Sequence, residues 1–169
     1  MKLATILFGI ILLFSFNTYA QHESKDTIQE SESHHCLFVK NSVTIGVGLP
    51  YSYGLNGFGV NTRIYYNVGE HICFGPEFSI LKKKDESLYD LNIVGHYIFE
   101  TPLVGISPIV GANYTKEIDA HGSEETFGGI IGLGVHRTFR LITIFLEYTH
   151  VESKLRDDFL TSGLMITIK

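Results

Sequence analysis

The chain has 169 residues, a formal charge of −5, 44% hydrophobic residues and no tryptophan. With 13 basic against 18 acidic side chains, it lacks the concentrated basic face of a general nucleic-acid binder. After the first twenty residues no segment approaches the uninterrupted apolar length of a spanning helix, so the remainder is either soluble or a barrel.

The opening stretch starts Met1-Lys2, runs apolar from Leu3 to Phe16 and ends Asn17-Thr18-Tyr19-Ala20. A charged start, an apolar middle and a small-residue exit predict a secretory signal peptide over 1–20, cleaved after Ala20. Its removal leaves 149 residues and, with Lys2 gone, a charge of −6. Residues 21–38 are polar, with Glu23, Glu30 and Glu32 among Ser and His, and predict a flexible periplasmic leader. His34-His35-Cys36 lies in this leader, where a fourth ligand and a fixed geometry are missing, so no metal is expected.

From residue 39 onward the pattern changes to segments of roughly ten residues with a period of two, the mark of barrel strands. The first, about 40–50, sets Val43, Ile45, Val47 and Leu49 against Ser42, Thr44, Gly46 and Gly48. The second, about 57–67, puts Arg63 mid-strand on the polar face, and the third, about 71–82, places Glu77 there. The fourth, about 88–99, adds Asp90 and His96 to that face; the fifth, about 103–115, alternates less cleanly. The sixth, about 126–136, sets Ile131, Leu133 and Val135 against Gly132 and Gly134. The seventh, about 140–151, carries Glu147 opposite Ile144, Leu146 and Tyr148, and the last runs about 159–169.

Eight segments are an even number, so an antiparallel up-and-down sheet can close and leave no unpaired edge in a bilayer. The expected fold is all-β, an eight-stranded transmembrane β-barrel over 39–169. With the N-terminus in the periplasm, the outer joins fall at 50–56, 82–87, 116–125 and 152–158, and the inner joins near 67–70, 99–102 and 136–139. The outer set is expected to be the longer. Tyr51, Tyr53, Phe58, Tyr89, Tyr114, Phe127 and Tyr148 then approach the outer rim, and Tyr66, Phe74, Tyr97, Phe99 and Phe139 the inner one, as two aromatic girdles. A soluble periplasmic barrel serving as a binding module would invert the faces. Against it stand the signal peptide and polar faces built of Gly, Ser, Asn and Thr with few charges.

Arg63, Glu77, Asp90, His96 and Glu147 are therefore placed in the lumen, where burial demands pairing. They are expected to form an internal charge network that holds the barrel closed and largely plugged, with a narrow pore as the alternative. Lys82, Lys83 and Lys84 form a basic run in an outer join that could contact lipopolysaccharide phosphates. The neighbouring Asp85 and Glu86 dilute that field and support instead a solvated turn. Cys36 and Cys73 both fall near the inner rim, in a compartment that permits a disulfide.

These features together resemble the porin-like outer-membrane β-barrel family, the small barrels of OmpX type and the membrane domain of OmpA-type proteins. The resemblance rests on the export signal, the strand number, Gly75-Pro76-Glu77-Phe78-Ser79, Phe145-Leu146-Glu147-Tyr148 and the closing Gly163-Leu164-Met165-Ile166-Thr167-Ile168. It implies an outer-membrane location, a structural or surface-interaction role and no cofactor. As partners it implies outer-membrane lipid, lipopolysaccharide and the barrel-assembly machinery, with the protein itself a monomer. Some barrels of this kind modify lipid A with a His-x-Ser pair and a carboxylate. His121-Gly122-Ser123 has that spacing in a loop, and His150-Val151-Glu152-Ser153 does not, so no enzyme is expected.

Overall fold

A computed structural model describes residues 39–84, 86–101, 103–120, 122–139, 141–155 and 157–168. The expected signal peptide, the leader and Cys36 lie outside the described residues. The described chain is β-strand and turn: β1 (Ser42–Ser52), β2 (Gly57–Asn67), β3 (Ile72–Lys83), β4 (Glu86–Tyr97), β5 (Phe99–Glu100), β6 (Gly105–Asp119), β7 (Gly122–Phe139), β8 (Ile142–Glu152) and β9 (Asp157–Ile168).

Strands β1 to β4 pair antiparallel in sequence order, as do β5 to β9; β9 pairs with β1, and β4 pairs with β6. The two-residue β5 keeps the register of β4 against β6. Between them Ile98 turns its N–H to the His71 carbonyl at 2.8 Å. β4 and β5 thus act as one strand, and the sheet is a closed barrel of eight.

Its stagger can be read from the pairings. From Val43 they lead sideways through Tyr66, Phe74, Gly95, Val110, Ile131, His150 and Asp158. The Asp158 carbonyl then accepts the N–H of Tyr53 at 2.9 Å, ten residues along β1 from the starting point. Rows of paired residues therefore climb by ten residues in one circuit, which tilts the strands by roughly 40° to the barrel axis.

The alternation expected along the strands decides the two faces. Apolar side chains point out and remain exposed, including Leu49 at 61%, Phe58 at 70% and Phe127 at 80%, while Arg63, Glu77, Asp90, His96 and Glu147 are buried inside. An apolar band around the exterior is the arrangement of a barrel solvated by lipid, and it overturns the soluble alternative. Aromatic pairs mark both ends of the band. Tyr51 meets Tyr53 and Phe58 at centroid distances of 5.1 and 4.9 Å, and Tyr114 meets Phe127 at 4.9 Å, on the side away from the termini. Tyr66–Phe74 and Tyr97–Phe99 lie on the terminal side.

One expectation about the joins is corrected. The far joins are not longer than the near ones: both rims are turned by segments of two or four residues. The stretch read as a loop over 116–125 continues the ladder, with Lys116 paired to Glu125 and Asp119 to Gly122. Its charges hid the strand, because beyond the bilayer both faces of a hairpin are wet and the apolar alternation disappears. The turn is held by Asp119, whose Oδ1 accepts the Gly122 N–H at 2.9 Å, and Gly122 supplies a φ of 151° that side chains resist.

Candidate functional site

The lumen holds the densest chemistry of the molecule, and its arrangement starts from strand parity. Odd-numbered residues of β2, β3 and β8 face inward, which brings Arg63, Glu77 and Glu147 to one level. The Arg63 Nη1 donates to Glu147 Oε2 at 2.6 Å and lies 3.6 Å from Glu77 Oε1. Its Nε donates to Asn61 Oδ1 at 2.8 Å. Asn61 in turn donates to the Ser79 hydroxyl at 2.9 Å, and the Tyr65 hydroxyl donates to Glu77. The guanidinium also lies over the Phe145 ring, 4.1 Å from its centroid. One cation thus sits between two carboxylates inside the barrel, with an aromatic ring against its face.

Glycines make the room. A Cβ on Gly46 would come within 2.9 Å of the Arg63 side chain, and one on Gly134 within 3.0 Å of Glu147. In both cases the large side chain lies over the glycine it is paired with on the adjacent strand, the alternation of large and small residues by which a narrow barrel fits its interior. Arg63, Tyr65 and Phe145 are among the largest fully buried side chains. Tyr65 and Phe145 share the inward parity of Arg63 but do not read as site residues in the sequence, because an aromatic on the polar face signals nothing until the barrel is closed.

Not all five expected network members join this cluster. Asp90 belongs to a separate group farther up the lumen, where Thr115 and Asn113 donate to its Oδ1 at 2.5 and 3.2 Å and Asn113 also reaches Asn92 at 2.7 Å. It is held by neutral donors, in place of the ion pair expected from sequence. His96 packs its ring against Tyr65 at 4.9 Å. Its Nε2 and that of His136 have no hydrogen-bond partner among the described residues. The expected single network is therefore an ion-paired cluster of three, a hydrogen-bonded carboxylate and a packed imidazole.

The far end of the lumen is lined by apolar side chains. Leu81, Leu88, Val151 and Phe159 face inward and are buried, and Leu55 from the β1–β2 turn is buried with them. Asp157 ties this turn down. Its carboxylate accepts from the Ser52 hydroxyl and, at 2.7 Å each, from the N–H groups of Gly54 and Asp158.

The remaining sequence candidates lie elsewhere. Cys73 is buried on the lumen face, as a free thiol; Cys36 is outside the described residues. Lys82 is exposed beside the paired Phe58 at the far girdle, and Lys84 occupies the turn with φ 49°. Lys116 and Lys154 are engaged with Glu125 at 2.5 Å and Glu124 at 3.1 Å. Hydrogen bonding to Lys116 holds the Glu125 carboxyl below its ordinary range, and Glu125 in turn holds the Lys116 ammonium above its own. His121 is not among the described residues, and Ser123 is exposed at the hairpin tip.

No protein-family model matches the chain, and no curated protein matches it in sequence. Solved structures do. The N-terminal β-barrel domain of Pseudomonas aeruginosa OprF is 17% identical with a TM-score of 0.59, over 76% of this chain and 98% of that one. The fold is that of the small transmembrane outer-membrane barrels. Ail, the attachment invasion locus protein of Yersinia pestis, is 14% identical with a TM-score of 0.54, over 77% of this chain and all of its own. A de novo designed transmembrane β-barrel is 15% identical with a TM-score of 0.52, over 78% of this chain and 98% of the design.

Proposed function

We propose that this chain resides in an outer membrane, exported by the signal peptide over 1–20, and serves there as a structural or surface-interaction barrel whose lumen does not conduct. The observation that carries this reading is the cluster of Arg63 with Glu77 and Glu147, packed against Tyr65 and Phe145 across the interior. A conducting path needs a continuous polar gap, and the middle of this lumen is occupied by side chains whose polar atoms bond each other.

The same reading takes the barrel as a monomer, delivered by the barrel-assembly machinery, with lipid around its wall. Lys82, Lys83 and Lys84, at and above the far girdle, are the residues for headgroup or lipopolysaccharide phosphates, since Lys116 and Lys154 already face carboxylates. No lipid A chemistry is proposed. His150 directs its two ring nitrogens to Asp158 and Glu152, at 2.8 and 3.2 Å, and a histidine so engaged is not placed to activate a serine.

Purified barrel reconstituted into planar bilayers at neutral pH is expected to give no resolved conductance steps. Reproducible steps whose size changes when Glu77 or Arg63 is neutralised would show instead that the lumen is a narrow pore.

A further inference from the structure

The apolar band around the barrel is not of one height. On β3 five successive outward positions are apolar, Ile72, Phe74, Pro76, Phe78 and Ile80. On β8 the run stops after Ile142, Ile144 and Leu146 and continues as Tyr148, His150 and Glu152. β9 behaves likewise, with Ser162 and Asp158 facing outward on either side of Leu160.

Allowing for the climb of the rows, His150 stands level with Val60 and Leu91 on other parts of the wall, both exposed and apolar. The polar groups form a bonded set. His150 joins Asp158 and Glu152, and the Tyr148 hydroxyl donates to Asp158 at 2.8 Å. Their side chains are 34% to 57% exposed on the outer surface. Gly129, paired with Glu152, leaves open space beside them.

Ionisable groups on a lipid-facing wall are costly in hydrocarbon, and a bilayer meets a short apolar stretch by thinning locally. Two same-face positions on a tilted strand correspond to roughly 10 Å of height. We propose that the membrane boundary at the far rim dips along β8 and β9, so that lipid headgroups and water, in place of acyl chains, cover His150, Asp158 and Glu152. This rests on the membrane reading above, and the test separates the two.

Because the chain contains no tryptophan, a single introduced one reports its own position. Leu160→Trp sits within the notch, next to Tyr148 and Tyr51, and Leu91→Trp stands near the same height on β4. Each is refolded into vesicles of brominated phosphatidylcholine and checked for gel mobility, with Gly129→Trp, in the open space beside Glu152, as a second notch position.

The notch tryptophans are expected to emit at longer wavelength, to be severalfold more accessible to acrylamide and to be severalfold less quenched by bromine than Leu91→Trp. Adding His150→Leu, Glu152→Leu and Asp158→Leu is expected to abolish the difference. Equal, strong bromine quenching at both positions would overturn the dip. A notch tryptophan shielded from both quenchers would overturn it in favour of a second copy of the chain covering this face. Failure of bromine to quench Leu91→Trp would overturn the membrane reading itself.

Discussion

Replacing Arg63 with alanine is expected to destabilise the barrel by about 3–5 kcal/mol, the loss typical of breaking a buried ion pair from one side. The magnitude follows from what remains. Glu77 and Glu147, with side chains only 9% and 6% exposed, would face each other without the cation between them, and Asn61 would lose the donor it accepts from. Uptake of a proton relieves the repulsion but leaves the burial of two acids and a cavity under the Phe145 ring. The ion pair itself need not favour folding over an apolar filling. Arg63→Met combined with Glu77→Gln, which keeps an acceptor for Tyr65, and Glu147→Leu should therefore recover most of the loss. Denaturant unfolding in detergent micelles, followed by gel mobility, measures both. A loss below about 1 kcal/mol for Arg63→Ala would place the cluster in effective contact with water.

A second large effect is expected at Gly163, where valine should cost about 3 kcal/mol or block assembly outright. A Cβ there would lie 2.1 Å from the Val47 carbonyl oxygen and 2.7 Å from the Phe145 ring, so both the β1 backbone and the aromatic filling would have to move. The paired control is Gly129→Val, on the outer wall with nothing within 4 Å of the added carbon. It should fold as the parent does, since an outward strand position with open space around it accepts a β-branched residue. Equal behaviour of the two variants would contradict the account of how the lumen is filled.

Much of this architecture is legible in the sequence because a barrel wall is a two-sided surface read at a period of two. Val43, Ile45, Val47 and Leu49 on one face and Arg63 against Ile64 on the next strand fix inside from outside without any long-range information. What parity does not carry is who meets whom across the lumen. Arg63 finds Glu77, and Asp90 finds Thr115 and Asn113, through the registers of adjacent strands, whereas Arg63 meets Glu147 because the stagger of ten residues per circuit brings β2 and β8 to one level. The β6–β7 hairpin was illegible for a different reason, since its tip rises beyond the lipid and needs no apolar face. The short apolar run of β8 is plain in the sequence, but its meaning depends on the heights of its neighbours.

The most direct test of the central claim is heat-modifiability. Membrane fractions expressing the chain are solubilised, and unboiled and boiled samples are compared on a detergent gel. A closed, lipid-solvated barrel of this kind is expected in the outer-membrane fraction, with an unboiled band that migrates differently from the boiled one and converts to it on heating. Recovery in buffer without detergent, with one mobility before and after boiling, would contradict the account.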